Sequence, residues 1–165
     1  MDFDLLIWLF CIAITLHNLE EAIWLPGWSN VSKRFHRPVD KVEFRFAVAV
    51  LTLMAYVIAF FSMTGGKGGI GAYLICGYAL AMLLNVVFPH IPATLILRRY
   101  APGTATAMLL NLPVSLMLLH KGIEEGFIEK GIFIYTGPLC VAGILLIIPG
   151  LFFIAKRWLK PRLKP

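Results

Sequence analysis

The sequence predicts an all-α, polytopic membrane bundle of five transmembrane helices, N-terminus outside and C-terminus cytoplasmic. Three observations predict it. The chain is 59% hydrophobic over 165 residues, with a mean hydropathy of +0.82, more apolar side chain than a soluble domain of this length can bury. Five apolar runs approach or reach the ~20 helical residues that cross about 30 Å of hydrocarbon. The Lys and Arg residues fall in clusters between those runs. Little chain is left over, so residues 1–165 are expected to form a single integral membrane domain. The expected location is the bacterial cytoplasmic (inner) membrane. The net charge of +6 is read as an orientation signal, which makes the lipid bilayer the expected partner and excludes nucleic acid.

The first run, 3–25, follows the acidic start Met1-Asp2-Phe3-Asp4. It lacks the basic leader and small-residue cleavage site of a secretory signal, so it is expected to remain in the mature protein. A basic loop, 26–43, leads to the second run, 44–63. The flexible Gly-rich turn 64–69 precedes the third, 71–88. A Pro-punctuated loop, 89–103, leads to the fourth, 104–119, which is short and interrupted by Asn111 and Pro113. A polar, acidic loop, 120–131, leads to the fifth, 132–155. Cys11, Cys76 and Cys140 form no CxxC or CxxH pair and read as small buried hydrophobes.

Orientation follows from the basic residues. Lys33, Arg34, Arg37, Lys41, Arg45, Arg98, Arg99, Lys156, Arg157, Lys160, Arg162 and Lys164 make 12 on one side; Lys67, Lys121 and Lys130 make 3 on the other. The positive-inside rule makes the richer side cytoplasmic. Trp24, Trp28 and Trp158 then fall near that boundary, where indole rings prefer to sit.

The most informative feature is His17-Asn18-Leu19-Glu20-Glu21, three ionisable groups inside an otherwise apolar run. A carboxylate at mid-bilayer costs about 2.5–3.5 kcal/mol on insertion scales. On a helix turning about 100° per residue, Glu20 and Glu21 flank the His17 imidazole. The face they form should point into the bundle. The predicted topology brings Asn85, His90 and Tyr100–Gly103 to the same cytoplasmic depth.

Helical zinc peptidases place two ligands four residues apart with a glutamate between them. His-x-x-Glu-Glu fits with Glu in the second ligand position. His17, Glu21 and His90 then form a His₂Glu set that leaves a fourth position for water, and Glu20 is the general base. Spacing alone allows Glu20 and Glu21 to exchange roles. The alternative is polar glue that fixes helix packing. Pro89 must kink or end its helix and free the Asn85 carbonyl. That break can swing His90 toward the first run, with Asn85 supporting the site or touching substrate. Asn111 either lines the cavity or bonds between helices. His36 reads as solvated surface. His120 belongs to the opposite face and should not reach the site, and Glu124, Glu125 and Glu129 read as a solvated acidic face.

These residues resemble the HXXEE family of small integral membrane proteins. The family is marked by an HxxEE motif, a second histidine and a Tyr-x-Pro-Gly motif. Here they are His17–Glu21, His90 and Tyr100-Ala101-Pro102-Gly103, in that order. The resemblance implies a polytopic membrane protein with a suggested metalloprotease role.

The expected function is metal-dependent hydrolysis, with zinc or another divalent metal, of a peptide bond in a membrane protein or an ester or amide in a lipid. The alternatives are a metal-free acid–base enzyme acting on a lipid or sterol-like substrate, of isomerase type, and a proton- or cation-coupled transporter or binding protein. The absence of inverted repeats speaks against common transporter architectures. Pro102 and Gly103 are expected to set the angle at which the fourth run starts. Tyr100 is expected at the rim, as a substrate donor or as interfacial packing.

Overall fold

A computed structural model describes residues 1–29 and 39–159. His36, Lys33, Arg34, Arg37, Lys160, Arg162 and Lys164 lie outside the described residues. Among the described residues the fold is all-helical. Five helices are long and apolar enough to cross a membrane: α1 Phe3–Trp28, α2 Lys41–Gly65, α3 Ile70–Leu97, α4 Thr104–Glu124 and α5 Lys130–Leu159.

Each start has a local cause. Asp2 accepts from the Leu5 N–H at 2.9 Å, and Asp40 accepts from the Val42 and Glu43 N–H groups at 3.0 and 3.2 Å. Both carboxylates satisfy donors that a helix N-terminus leaves open. α1 continues past residue 25, through Pro26 to Trp28, where the sequence suggested a loop. Pro26 has no N–H for the Ala22 carbonyl. The Arg45 Nε–H of α2 donates to that carbonyl instead, at 2.9 Å. The side chain supplies the bond that proline withholds.

α3 packs against α2, α4 and α5, and α1 packs against α2 and α4. The core joins Phe3, Leu6, Phe10 and Ile14 of α1 to Ala55 and Ala59 of α2, Ile75 and Tyr78 of α3 and Leu118 of α4. At Gly77 of α3 the absent side chain leaves room for Cys140 of α5, the close approach that small residues allow in membrane bundles. The three cysteines are free; Cys11 and Cys76 are buried, Cys140 partly so.

Two expected loops are shorter than the sequence suggested. Residues 91–97 are helical after a wide turn at Val86–His90. In that turn Phe88, which precedes Pro89, is extended (φ −147°, ψ 120°), and the Ile91 N–H reaches back five residues to the Val86 carbonyl. Proline biases its predecessor toward this extended region. α4 likewise runs on to Glu124, because its last turn is anchored by Gly122, buried against Phe3 and Cys76, with Lys121 and Glu124 paired on its outer face (2.6 Å).

The end of the bundle at Phe3 is sealed. The Phe3 and Phe127 rings stack with centroids 4.1 Å apart, the Gly68 N–H donates to the Phe127 carbonyl, and the Glu129 N–H donates to the Tyr73 hydroxyl. The other end of α1 carries the polar cluster.

Candidate functional site

α1, the break in α3 and the start of α4 each bring side chains to one point. α1 contributes His17, Glu20 and Glu21 on successive faces of one turn. The break in α3 contributes Asn85 before it and His90 after it. The turn into α4 contributes Tyr100, Gly103 and Thr106.

His17 and His90 are 1% and 3% exposed. Their rings meet edge to face with centroids 5.0 Å apart. The Glu21 carboxylate spans both, with Oε1 3.3 Å from His90 Nε2 and Oε2 3.9 Å from His17 Nε2. One ligand atom from each of His17, Glu21 and His90 lies within 4.8 Å of the other two. The Asn85 amide nitrogen is 3.2 Å from His17 Nε2 and 3.1 Å from His90 Nε2.

Glu20 points elsewhere. The Tyr100 hydroxyl donates to Glu20 Oε1 in a short hydrogen bond, and the Gly103 N–H donates to the same oxygen at 2.9 Å. The Thr106 hydroxyl donates to Oε2 at 2.7 Å. Both carboxylate oxygens are therefore occupied. The Thr106 oxygen also lies 3.1 Å from His17 Nδ1. Its single proton serves Glu20, an obligate acceptor when ionised, so toward His17 the hydroxyl accepts. The network thus assigns the His17 proton to Nδ1 and leaves the Nε2 lone pair facing Glu21 and Asn85. Glu20 and Glu21 do flank the imidazole, but Glu20 does so through Thr106, on the far side from the convergence point.

Gly103 makes this geometry possible. Its φ is +92°, and a Cβ there would sit 2.6 Å from His90 Cε1 and 3.0 Å from both His17 Cε1 and Glu21 Cγ. Any side chain would push the two rings apart. The hydroxyl of Tyr100 also accepts from the Ala105 N–H at 3.1 Å. Burial, reinforced by the Glu20 carboxylate, holds that phenol above its ordinary pKa, so it stays protonated and tied to Glu20 rather than free for a substrate. Pro102 lines the adjoining cavities.

Asn111 is fully buried, and neither its amide nitrogen nor its oxygen has a hydrogen-bond partner among the described residues. It is absent from the walls of the three cavities near the cluster. Asn18 bonds instead to Thr52 (2.8 Å) and the Val48 carbonyl (3.4 Å) of α2, which is interhelical glue. Thr106 was missed from sequence. Its only local signal is its place three residues after the Tyr-x-Pro-Gly turn.

The convergence point is rich in acceptors. Two imidazoles and a carboxylate meet in a buried space, and the Asn85 amide is the donor shared by both rings. Such a site suits a cation or a mobile proton.

Residues 8–118 match the family model described as "Protein of unknown function with HXXEE motif". The chain is 42% identical over 151 residues to YrkK, an uncharacterised protein of Bacillus subtilis (strain 168), covering 90% of this chain and 94% of the relative. No solved structure matches. The matched region holds every residue of the cluster, from His17 to Thr106, and on this footing the chain belongs to the HXXEE family.

Proposed function

We propose that the chain is a membrane-embedded, metal-dependent hydrolase in which His17, His90 and Glu21 hold one divalent cation. The observation that carries this reading is the convergence of their ligand atoms within 4.8 Å in a buried, acceptor-rich space. Tetrahedral zinc with ligands at about 2.1 Å needs them about 3.4 Å apart, so small side-chain rotations suffice. Two imidazoles and one carboxylate are also the donor set of catalytic zinc with an open position.

Zinc, when bound, supplies an activated water near neutral pH and polarises a carbonyl. The chain supplies the rest. Thr106 and Glu20 hold His17 with Nε2 forward, the arrangement by which outer partners orient a ligating histidine. Glu20 is assigned this positioning role and not that of general base, since three donors already occupy it. Glu21 has a second oxygen for proton transfer. It takes the proton as the water oxygen joins the carbonyl carbon, and returns it to the leaving oxygen or nitrogen as that bond breaks. Asn85, released from the imidazoles, can donate to the carbonyl oxygen.

The N-terminus is proposed outside and the C-terminus in the cytoplasm, from the 12-to-3 distribution of basic residues. The site then opens toward the cytoplasmic half of a bacterial cytoplasmic membrane.

A second reading is metal-free acid–base catalysis, of isomerase type, on an apolar ligand. The Asn85 amide standing between both imidazoles favours it. Fluorogenic ester and amide substrates separate the two readings. The hydrolase reading expects turnover that stops with a chelator, returns with zinc and disappears in His17→Ala and His90→Ala. Turnover indifferent to chelation would reject it.

A further inference from the structure

Resting on the hydrolase reading, we infer that the substrate is a lipid whose ester or amide linkage lies between two apolar arms, and not a peptide segment of a membrane protein. Two cavities meet at the cluster. The larger, about 460 Å³, extends between α1, α2, α3 and α5 toward Ile14, Leu51 and Ile144. The smaller, about 370 Å³, runs past Pro92, Ala93 and Leu97 to Val39, toward the end of α3. Glu21, Leu25 and Phe88 line both, so the rooms share a wall at which the polar cluster stands. Both volumes fall in the range of small-molecule sites.

The polar groups on these walls decide between substrates. In the larger room, the Asn18 amide is bonded to Val48 and Thr52, and the Tyr78 hydroxyl donates to the Leu51 carbonyl at 3.0 Å. That leaves His17, Glu21 and Asn85. In the smaller room the polar side chains are Glu21, His90 and Trp28, whose indole carries one N–H. Apart from that indole, the remaining polar side chains of both rooms are gathered at one place. A peptide entering either room would carry an N–H and a C=O at each residue, and most would find no partner away from water. A lipid has one linkage that needs polar contact, and its arms need none. The longer arm belongs in the larger room, and the shorter in the room toward Val39.

Photolabelling tests this. The probe is a hexadecanoyl ester of a medium-chain alcohol, made with a diazirine at the acyl end or at the alcohol end. It is applied to the full chain in micelles, with and without a chelator. The acyl-end probe is expected to label the Leu51 and Ile144 region, and the alcohol-end probe the Ala93 and Leu97 region. Unlabelled ester should compete, and a hydrophobic transmembrane peptide should not. Ala81→Phe, which adds a phenyl ring to the wall of the larger cavity, should lower acyl-end labelling there by about tenfold or more. Labelling of one region by both ends would overturn the two-armed assignment, as would labelling confined to outward-facing residues such as Leu53 and Leu139. Competition by the peptide at least equal to that by the ester would overturn the choice of lipid. If Ala81→Phe does not fold, the competition arms still decide. Labelling is read with the metal removed, so a failure to bind zinc sinks the hydrolase reading alone, and a failure of labelling sinks this inference alone.

Discussion

The chain carries the same pair twice, once at each end of the bundle. His17 and Glu21 are four residues apart on α1, 3.9 Å from each other; His120 and Glu124 are four apart on α4, 3.8 Å from each other. The first pair is 1% and 13% exposed, the second 77% and 52%. At the exposed end Glu124 has Lys121 as its near partner, at 2.6 Å, and both His120 and Glu124 are open to solvent. At the buried end a second histidine, an amide and a hydroxyl close around the pair, and among the described residues no lysine or arginine joins them. Spacing is therefore not what makes a site. Exposed ion pairs are solvated and screened. A buried acceptor cluster needs a cation, a proton or a donor to exist at all.

The largest expected contrast comes from removing one partner at each end. His17→Ala or Glu21→Ala should abolish stoichiometric zinc binding, measured by metal analysis of purified protein. His120→Ala and Glu124→Ala should leave zinc content and Tm unchanged. Equal losses at both ends would erase the distinction.

Glycines sharpen the comparison next. Gly103 and Gly126 both have positive φ, +92° and +74°, but an added Cβ meets both histidine rings at Gly103 and nothing within 4 Å at Gly126. Gly126→Ala should cost about 1–2 kcal/mol of backbone strain. Gly103→Ala should cost that and a further ~1–3 kcal/mol of overpacking, and should weaken zinc binding, as denaturation and zinc titration can show. Similar losses in the two variants would mean that Gly103 serves the turn alone.

Thr106 offers a smaller effect with a sharper readout. Thr106→Val should reduce zinc affinity by about 10–100-fold, the usual loss for an outer partner of a metal ligand, and Thr106→Ser should restore it. Nitrogen NMR of the metal-free protein should find the His17 proton on Nδ1 in the wild type and a mixture of tautomers in Thr106→Val. An unchanged tautomer in that variant would remove Thr106 from the account.

The smallest effect lies beside the site. Arg45→Met removes the donor that serves the Ala22 carbonyl across from Pro26. It should lower stability by about 0.5–1.5 kcal/mol without changing zinc content. A change in zinc content would tie the end of α1 to the site more closely than the hydrogen bonds indicate.

The five helices were legible because hydrophobic length is a local property. So was the pairing of His17 with Glu21, which helical periodicity imposes. The misread boundaries share one cause. His120, Lys121 and Glu124 are polar or charged, Trp28 follows Pro26 and residues 91–97 follow Pro89, and such signals ordinarily mark loops. In the protein, the buried Gly122 packs one helix against Phe3 and Cys76 through that charged turn, and the extended Phe88 absorbs the proline so that another can resume. The division of labour between Glu20 and Glu21 was not legible. Periodicity puts one on each side of His17, but which side faces the second histidine depends on where α3 and α4 dock. Thr106 was invisible for the same reason: its partners Glu20 and His17 lie 86 and 89 residues away.

X-ray absorption at the zinc edge, on purified zinc-loaded protein, tests the central claim most directly. The account predicts a first shell of nitrogen and oxygen at about 2.0–2.2 Å, with the scattering of two imidazoles falling to one in His90→Ala. A shell containing sulfur at about 2.3 Å, or two imidazoles that persist in His90→Ala, would place the metal elsewhere and contradict it.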